Sequence, residues 1–335
     1  MQLVIQTVFL YKSGEIVMRK KIWIRIVFIM VLIFLAALLR NYFSGSVSED
    51  DSYSKVLGLV LTVTEDEWQD SLIASVTDYA GEYGFEVMTT QAKRSKFSQI
   101  EAIRALIVYQ ANAIVFFPVV DSGWDSVLYE AEKAGIPVIA VDKAVRSNQD
   151  GFNISYVGYD YYGDSIAAAK LLAANADEQD IIVELYGTLG SYPAKEITRG
   201  FREILSERGL QIQSSICGDY MRSRGKEITE GFLKSEDGID FIISHNDAMT
   251  FGAVDAIEKE GKIPGKDVHI FAVGGSEKAV KMVEEGKITC LIQKDAKELG
   301  EKTIEAVNML FSVDAPREIS ILLETVLLTK GDTAS

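Results

Sequence analysis

Residues 110–120 read QANAIVFFPVV, and residues 237–247 read DGIDFIISHND. Each stretch places a short apolar run, rich in β-branched and aromatic residues, directly before polar residues. This pattern is typical of a strand that is covered on both faces and ends in a loop. The order before these runs also repeats, because EYGFEV at 82–87 corresponds to ERGLQI at 207–212. The chain is therefore predicted to contain two halves of similar plan.

The two halves extend over about 55–158 and 159–293, and both alternate short apolar runs with amphipathic stretches of helical length. Such alternation predicts an α/β fold with two doubly wound, Rossmann-like parallel-sheet domains. Ligands of such sheets bind beyond the carboxyl ends of the strands, so two facing domains would share one cleft. Strands are predicted at 56–62, 85–90, 113–118, 137–142, 154–158, 181–187, 210–217, 240–245, 268–274 and 288–293.

Composition and charge narrow the function classes. The 335 residues have a mean hydropathy of +0.11, which excludes a multi-span transporter, and an ordinary globular composition, which excludes wholesale disorder. Residues 1–46 hold six Lys or Arg against one Glu, a charge of +5, whereas the rest carries 28 basic and 48 acidic residues, a charge of −20. So acidic a body repels phosphate backbones, and we expect no nucleic-acid partner. Cys217 and Cys290 are expected to be separate thiols rather than a disulfide.

The N-terminal segment predicts a membrane partner. Residues 22–39 read IWIRIVFIMVLIFLAALL and follow the basic stretch 18–21. About 20 apolar residues span a bilayer, and basic residues stay on the cytoplasmic side. We therefore expect 1–46 to form a cytoplasmic stub and a signal-anchor helix, 47–54 to be a tether, and the body to be extracytoplasmic. A signal peptide cleaved near 44–46 is the alternative, and Met18 is an alternative start.

Polar and aromatic residues follow the predicted strands, where a shared cleft would lie. Aromatic faces cover the C–H patches of a sugar, and planar Asp, Asn, Arg and Gln groups hold adjacent hydroxyls. Each candidate also has a purely structural role open to it: the two Trp as packing, Asn246 as a helix cap, and Asp142 with Lys143 as an exposed ion pair. The candidates are Glu65, Asp66, Trp68, Trp124, Asp142, Lys143, Tyr220, Arg222, Asn246 and Gln293.

The same search gives no support for an enzyme. The only histidines are His245 and His269, and none of the common hydrolase, metalloprotease, phosphate-loop or dinucleotide motifs is present. We therefore expect no catalytic residue, no cofactor and no metal site.

Four segments together resemble the type I periplasmic sugar-binding proteins of ABC importers, in the ribose- and galactofuranose-binding branch. They are AIVFFPVVDSGW at 113–124, IPVIAVDK at 136–143, GDYMRSRGK at 218–226 and SHNDAM at 244–249. The resemblance covers about 55–313. It implies a three-crossover hinge between an N-terminal binding domain, 55–158 plus 294–316, and a C-terminal binding domain, 159–293 plus 317–328.

By position, the resemblance assigns ligand contacts to the same ten candidates. Two departures stand out: Lys143 falls where the family usually has Arg, and Gly274 falls where it usually has Asp. The first loses a planar fork that holds two hydroxyls, and the second removes a carboxylate. The resemblance therefore implies the fold more directly than it implies the sugar.

The leading hypothesis is an extracytoplasmic solute-binding protein that captures a monosaccharide (a pentose, a hexose or a galactofuranose-like sugar) and delivers it to an ABC permease. The alternative is a membrane-anchored sugar sensor that signals to a histidine kinase or a chemoreceptor. A transcription regulator of the lactose-repressor kind would need an N-terminal helix-turn-helix, but that position holds the apolar segment at 22–39.

Overall fold

The structure is a computed structural model that describes Met30 and residues 55–63, 65–147, 154–235, 238–312 and 314–332. Lys55–Ser335 forms one compact unit. Apart from Met30, the predicted stub, anchor helix and tether lie outside the described residues. Among the residues that are described, no helix combines the length and the apolar character needed to cross a membrane.

The described chain alternates strands and helices. The strands are β1 (Lys55–Thr62), β2 (Phe85–Ala92), β3 (Ala113–Phe116), β4 (Val138–Asp142), β5 (Ser155–Tyr159), β6 (Ile182–Tyr186), β7 (Ile212–Cys217), β8 (Phe241–Ser244), β9 (His269–Gly274), β10 (Cys290–Gln293), β11 (Ser320–Leu323) and β12 (Val326–Leu328). The helices are α1 (Glu67–Glu82), α2 (Lys96–Val108), α3 (Asp125–Lys133), α4 (Tyr161–Asn175), α5 (Tyr192–Glu207), α6 (Arg222–Leu233), α7 (Asp247–Lys259), α8 (Glu277–Glu284) and α9 (Ala296–Met309).

The strands form two six-stranded sheets. The first has the order β11-β5-β4-β3-β1-β2 and is parallel throughout; the second has the order β12-β10-β9-β8-β6-β7 and is parallel except for the β10–β12 pair. We call each sheet with the helices packed on it a lobe. All ten predicted strands are present, so the prediction of two parallel-sheet α/β lobes is confirmed.

Both faces of each sheet are covered, which explains the apolar strands. In β1, Leu57 and Leu59 pack in one core cluster with Leu72 of α1. Val60 points the other way and packs with Leu106 of α2. The centre of β1, residues 57–60, is buried on both faces, so its sequence is a continuous apolar run instead of an alternating one.

One prediction about the two C-terminal strands, β11 and β12, is wrong. The last crossing strand was expected within 317–328 and in the second lobe, but β11 pairs with β5 in the first sheet. Only β12 pairs in the second sheet, antiparallel to β10. The segment divides because Leu323 packs into the core beside the first sheet, whereas Leu328 packs against the apolar cluster of the second. The other predicted domain boundaries stay predictions.

The chain passes between the lobes at three places: from β5 to α4, from β10 to α9, and from β11 to β12. Helix α9 returns to the first lobe, where it packs against α1 and β5. Cys217 and Cys290 are both free thiols in the structure.

Candidate functional site

A cavity lies between the lobes, at the carboxyl ends of the strands of both sheets. The empty space within it and in front of its mouth, open solvent included, is about 690 Å³. The loops that follow β1, β2, β3 and β4 line it from the first lobe, and those that follow β6, β7, β8 and β10 line it from the second. Six of the ten predicted residues line it: Asp66, Trp68, Asp142, Lys143, Tyr220 and Asn246.

Asp66 and Asn246 each cap a helix and also meet each other across the cleft. Asp66 Oδ1 accepts the Trp68 main-chain N–H at 3.1 Å and so caps α1. Asn246 Oδ1 accepts the Met249 N–H at 3.0 Å and so caps α7. The remaining ends bind each other, because Asn246 Nδ2 donates to Asp66 Oδ2 at 2.9 Å. Capping therefore fixes both groups in the position from which they face the cavity.

Trp68 lines the cavity, but it is held as part of the wall. Its side chain is only 3% exposed, and its Nε1–H donates to the main-chain oxygen of Lys294 at 2.9 Å. The ammonium of Lys294 lies 3.6 Å from the ring centroid. One face of the indole is therefore covered by a cation and cannot stack on a ligand.

Trp124 does not line the cavity, contrary to its prediction as a ligand contact. It is fully buried in the core on the other face of the first sheet, edge-on to Phe116 at a centroid distance of 5.1 Å. Its Nε1–H donates to the main-chain oxygen of Val120 at 2.9 Å. A buried indole with its donor satisfied inside its own lobe is a packing residue.

The floor of the cavity is a buried cluster of Asp142, Tyr161 and Lys294. Lys294 Nζ lies 3.1 Å from Asp142 Oδ1 and 3.0 Å from the Tyr161 hydroxyl, and that hydroxyl donates to the same carboxylate oxygen. Asp142 has a left-handed backbone, with φ of 64°, which a non-glycine residue seldom adopts. Burial, followed by the charge of Asp142, raises the pKa of Tyr161 well above its usual value, so the phenol remains protonated.

Lys143 and Tyr220 face each other from opposite lobes. Lys143 Nζ lies 5.2 Å from the centroid of the Tyr220 ring. Burial lowers the pKa of Lys143, and the charge of Asp142 opposes that effect. The Tyr220 hydroxyl is 3.0 Å from Ser191 Oγ, and its ring occupies the space into which a Cβ on Gly187 would project.

The other three predicted contacts lie outside the cavity lining. Glu65 Oε2 accepts the Arg222 main-chain N–H across the lobes at 2.9 Å. The Arg222 guanidinium instead binds Asp255 within its own lobe, at 2.8 Å through one terminal nitrogen. Gln293 pairs in register with Gly274 and Val326, and the residue that reaches the cavity is the next one, Lys294.

Sequence reasoning missed several lining residues, among them Arg94, Tyr161, His245 and Lys294. His245 Nε2 is 3.0 Å from Glu184 Oε1, and both side chains are fully buried. His245 Nδ1 accepts the Gly187 N–H at 3.3 Å, which assigns the proton to Nε2 and makes that nitrogen the donor to Glu184. The sequence held one signal for this pair: a glutamate inside an otherwise apolar strand, and a histidine at the end of another strand much later in the chain.

Gly274 leaves no room for the carboxylate expected there by resemblance. A Cβ on Gly274 would lie 1.6 Å from Asp247 Oδ1. Asp247 Oδ2 accepts the N–H groups of Gly275 and Ser276 at 3.1 and 2.8 Å. Burial, with a contribution from Asp66, raises the pKa of Asp247 to about 7. The carboxyl group at this strand end therefore comes from α7 instead of β9.

The lining suits a neutral molecule that is rich in hydroxyls. Three cationic side chains (Arg94, Lys143 and Lys294) are matched by three acidic ones (Asp66, Asp142 and Asp219). Arg94 is itself paired with Asp219, and Lys294 with Asp142. Charged donors and acceptors that balance one another can bind hydroxyls in pairs without selecting a net ligand charge. In the part of the chain that the structure describes, no cluster of three His, Cys, Asp or Glu side chains could hold a metal ion.

Comparison with known proteins gives one consistent result. A family model for the periplasmic binding protein domain matches residues 57–312. The galactofuranose-binding protein YtfQ of Escherichia coli is 28% identical over 235 residues, which are 69% of this chain and 74% of the relative.

Two solved structures show the same fold. The arabinose-transporter component of Shewanella sp. ANA-3, bound to L-arabinofuranose, has a TM-score of 0.76 and 29% identity over 83% of this chain and 93% of its own. A Mycobacterium smegmatis protein in complex with β-D-fucofuranose has a TM-score of 0.77 and 32% identity over 83% of this chain and 92% of its own.

Proposed function

The chain belongs to the periplasmic binding protein family, and from that premise we propose that it captures a neutral monosaccharide in the interlobe cavity and delivers it to an ABC permease. The expected ligands are pentoses, hexoses or their furanose forms. The protein is proposed to act outside the cytoplasm, either anchored by residues 22–39 or released from them by signal cleavage.

The observation that carries this proposal is the contact between Asp66 and Asn246. A carboxylate of the first lobe and an amide of the second lie 2.9 Å apart at the cavity, each fixed by capping its own helix. Such a pair can bind one ligand from both lobes, as acceptor and as donor, and thereby couple binding to closure of the lobes. The balanced charges of the lining favour hydroxyl groups as the groups that are bound.

Delivery to a permease is proposed in preference to sensing. The Shewanella relative is a component of an arabinose ABC transporter, and the other relatives reported above are binding proteins or sugar complexes. Deletion of the gene should reduce uptake of the radiolabelled sugar that the purified protein binds. Normal uptake in the deletion strain would contradict the transport role while leaving sugar binding intact.

Binding is tested by calorimetric titration of the full chain with L-arabinose, D-galactose, D-fucose, D-ribose, D-allose and myo-inositol. We expect saturable binding of at least one of them. Asn246→Ser keeps an oxygen that caps α7 but removes the amide donor, so affinity should fall about ten- to a hundredfold.

Asp160→Ser is the matched control, because Asp160 caps α4 through the Gly163 N–H at 3.1 Å and does not line the cavity. It should leave affinity unchanged. If a folded parent protein binds none of the six compounds, the proposed ligand class is wrong. If Asn246→Ser binds as tightly as the parent, the site is wrong.

A further inference from the structure

Lys294 occupies an unusual position, at the passage from β10 of the second sheet to α9 of the first lobe. Its side chain is only 9% exposed, yet it lines the cavity. Both ends of the residue are fixed. Its main-chain N–H donates to Gly274 O at 2.7 Å, and its main-chain oxygen accepts the Trp68 indole N–H at 2.9 Å.

The ammonium is held in one place by groups from two parts of the fold. Asp142 Oδ1 at the end of β4 lies 3.1 Å from Nζ, and the Tyr161 hydroxyl at the start of α4 lies 3.0 Å from it. The third neighbour is the Trp68 ring, whose centroid is 3.6 Å away. An ammonium has three N–H donors, and the two oxygens account for two of them.

We propose that Lys294 determines the ligand specificity of the cavity, by presenting a fixed cationic donor at its floor and by covering the Trp68 face on which a sugar would otherwise stack. This inference rests on the proposed function. It selects ligands with an oxygen directed at the floor, and it disfavours deoxy sugars with a C–H group there. A buried group built to donate a hydrogen bond rejects an analogue without the acceptor, because the donor is then left short of a partner.

A purely structural role is the competing explanation, since Lys294 and Asp142 also form a buried ion pair next to a passage between the lobes. The two explanations differ in what they change. A structural role lowers the melting temperature and weakens every ligand alike. A specificity role changes the ratio of affinities between a sugar and its deoxy analogue.

The experiment compares dissociation constants of the full chain for three matched pairs: D-galactose with D-fucose, D-galactose with 2-deoxy-D-galactose, and D-ribose with 2-deoxy-D-ribose. The variants are Lys294→Met and the double variant Asp142→Asn/Lys294→Met. The double variant removes both charges together, so that no lone carboxylate is left buried if the single variant fails to fold. Lys297→Met is the control, because it deletes the same charge three residues on, where Lys297 is exposed.

We expect the parent protein and Lys297→Met to prefer the complete sugar in at least one pair by about tenfold or more, and both Lys294 variants to reduce that preference to within about threefold. An unchanged ratio in the Lys294 variants overturns the inference, as does a parent that does not discriminate within any pair. If the parent protein binds no sugar at all, the proposed function itself is wrong. That outcome is seen with the parent protein alone, so it can be distinguished from a failure of the inference about Lys294.

Discussion

Two ion pairs join the lobes beside the cavity, and they predict that closure depends on charge as well as on sugar. Asp121 of the first lobe accepts a hydrogen bond from Lys195 of the second at 2.8 Å. Arg146 of the first lobe binds Glu196 of the second at 2.7 Å. The main-chain N–H of Asp121 also donates to Gly190 O at 2.9 Å. None of the four charged side chains, Asp121, Lys195, Arg146 and Glu196, lines the cavity.

The size of the effect follows from the exposure of the two partners. The Asp121 side chain is 2% exposed, but that of Lys195 is 42% exposed, so solvent screens the pair from one side. Hydrogen bonds to charged groups are worth about 1.5–3 kcal/mol and exposed ion pairs about 0.2–1 kcal/mol, so we expect a coupling of about 1 kcal/mol. If that free energy favours the closed arrangement, its loss weakens sugar binding about fivefold.

The assay is a double-mutant cycle of Asp121→Asn and Lys195→Met, with sugar affinity measured by calorimetry at about 50 mM and about 500 mM salt. Both single variants and high salt should weaken binding, and the double variant should add little to either single variant. Glu227→Gln is the control, because it breaks the Arg224–Glu227 pair within one lobe. Additive effects, or a parent affinity that is independent of salt, would refute the reasoning.

Three further predictions concern stability and topology. The pKa of the Asp247 carboxyl is raised to about 7 in the folded chain, whereas it is near 4 in the unfolded chain. The free energy of unfolding should therefore fall as the pH rises through that window. Melting curves at about pH 5 and pH 8 should show this fall for the parent protein and a smaller one for Asp247→Asn. Trp124→Ala should cost about 3–5 kcal/mol of unfolding free energy in denaturant titrations while the folded fraction binds sugar normally; a selective loss of affinity would return Trp124 to the site. Protease added to intact protoplasts should digest the body beyond residue 47, whereas full protection would contradict the extracytoplasmic location.

The fold was predictable because its strands carry an unambiguous signal. β3 (AIVF) is apolar at every position, β8 (FIIS) is apolar up to its last residue, Ser244, and in the structure all four positions of each are buried. Six cavity residues were predictable for the same reason, since they lie at or just beyond the carboxyl ends of strands, and those ends face the cavity in both sheets. This inference requires only the order of the elements, which the periodicity supplies.

The direction of individual side chains was not predictable. Trp68 and Trp124 both follow first-lobe strands, yet Trp68 lies in the first turn of a helix that Asp66 caps, whereas no side chain caps the helix that follows Trp124. The direction of the side chains also explains why Lys294 lines the cavity and the predicted contact, Gln293, does not. Successive side chains of a strand point to opposite faces, so the residue at which β10 ends decides which neighbour enters the cavity.

We expect the ligand specificity to depend most on Gly274 and Lys294, which lie at the carboxyl ends of β9 and β10 in the second sheet. Lys294 donates its main-chain N–H to Gly274 O, and Gly274 pairs with Gln293 in the sheet, so the two positions are direct neighbours. At this strand end the fully buried Asp247, which does not line the cavity, fills the space of a side chain on Gly274, and the charged group that reaches the cavity is the ammonium of Lys294. A ligand at the floor of the cavity would meet an ammonium group close to the position at which the family usually has a carboxylate. If this protein and its relatives prefer different ligands, the difference should therefore arise first from Gly274 and Lys294.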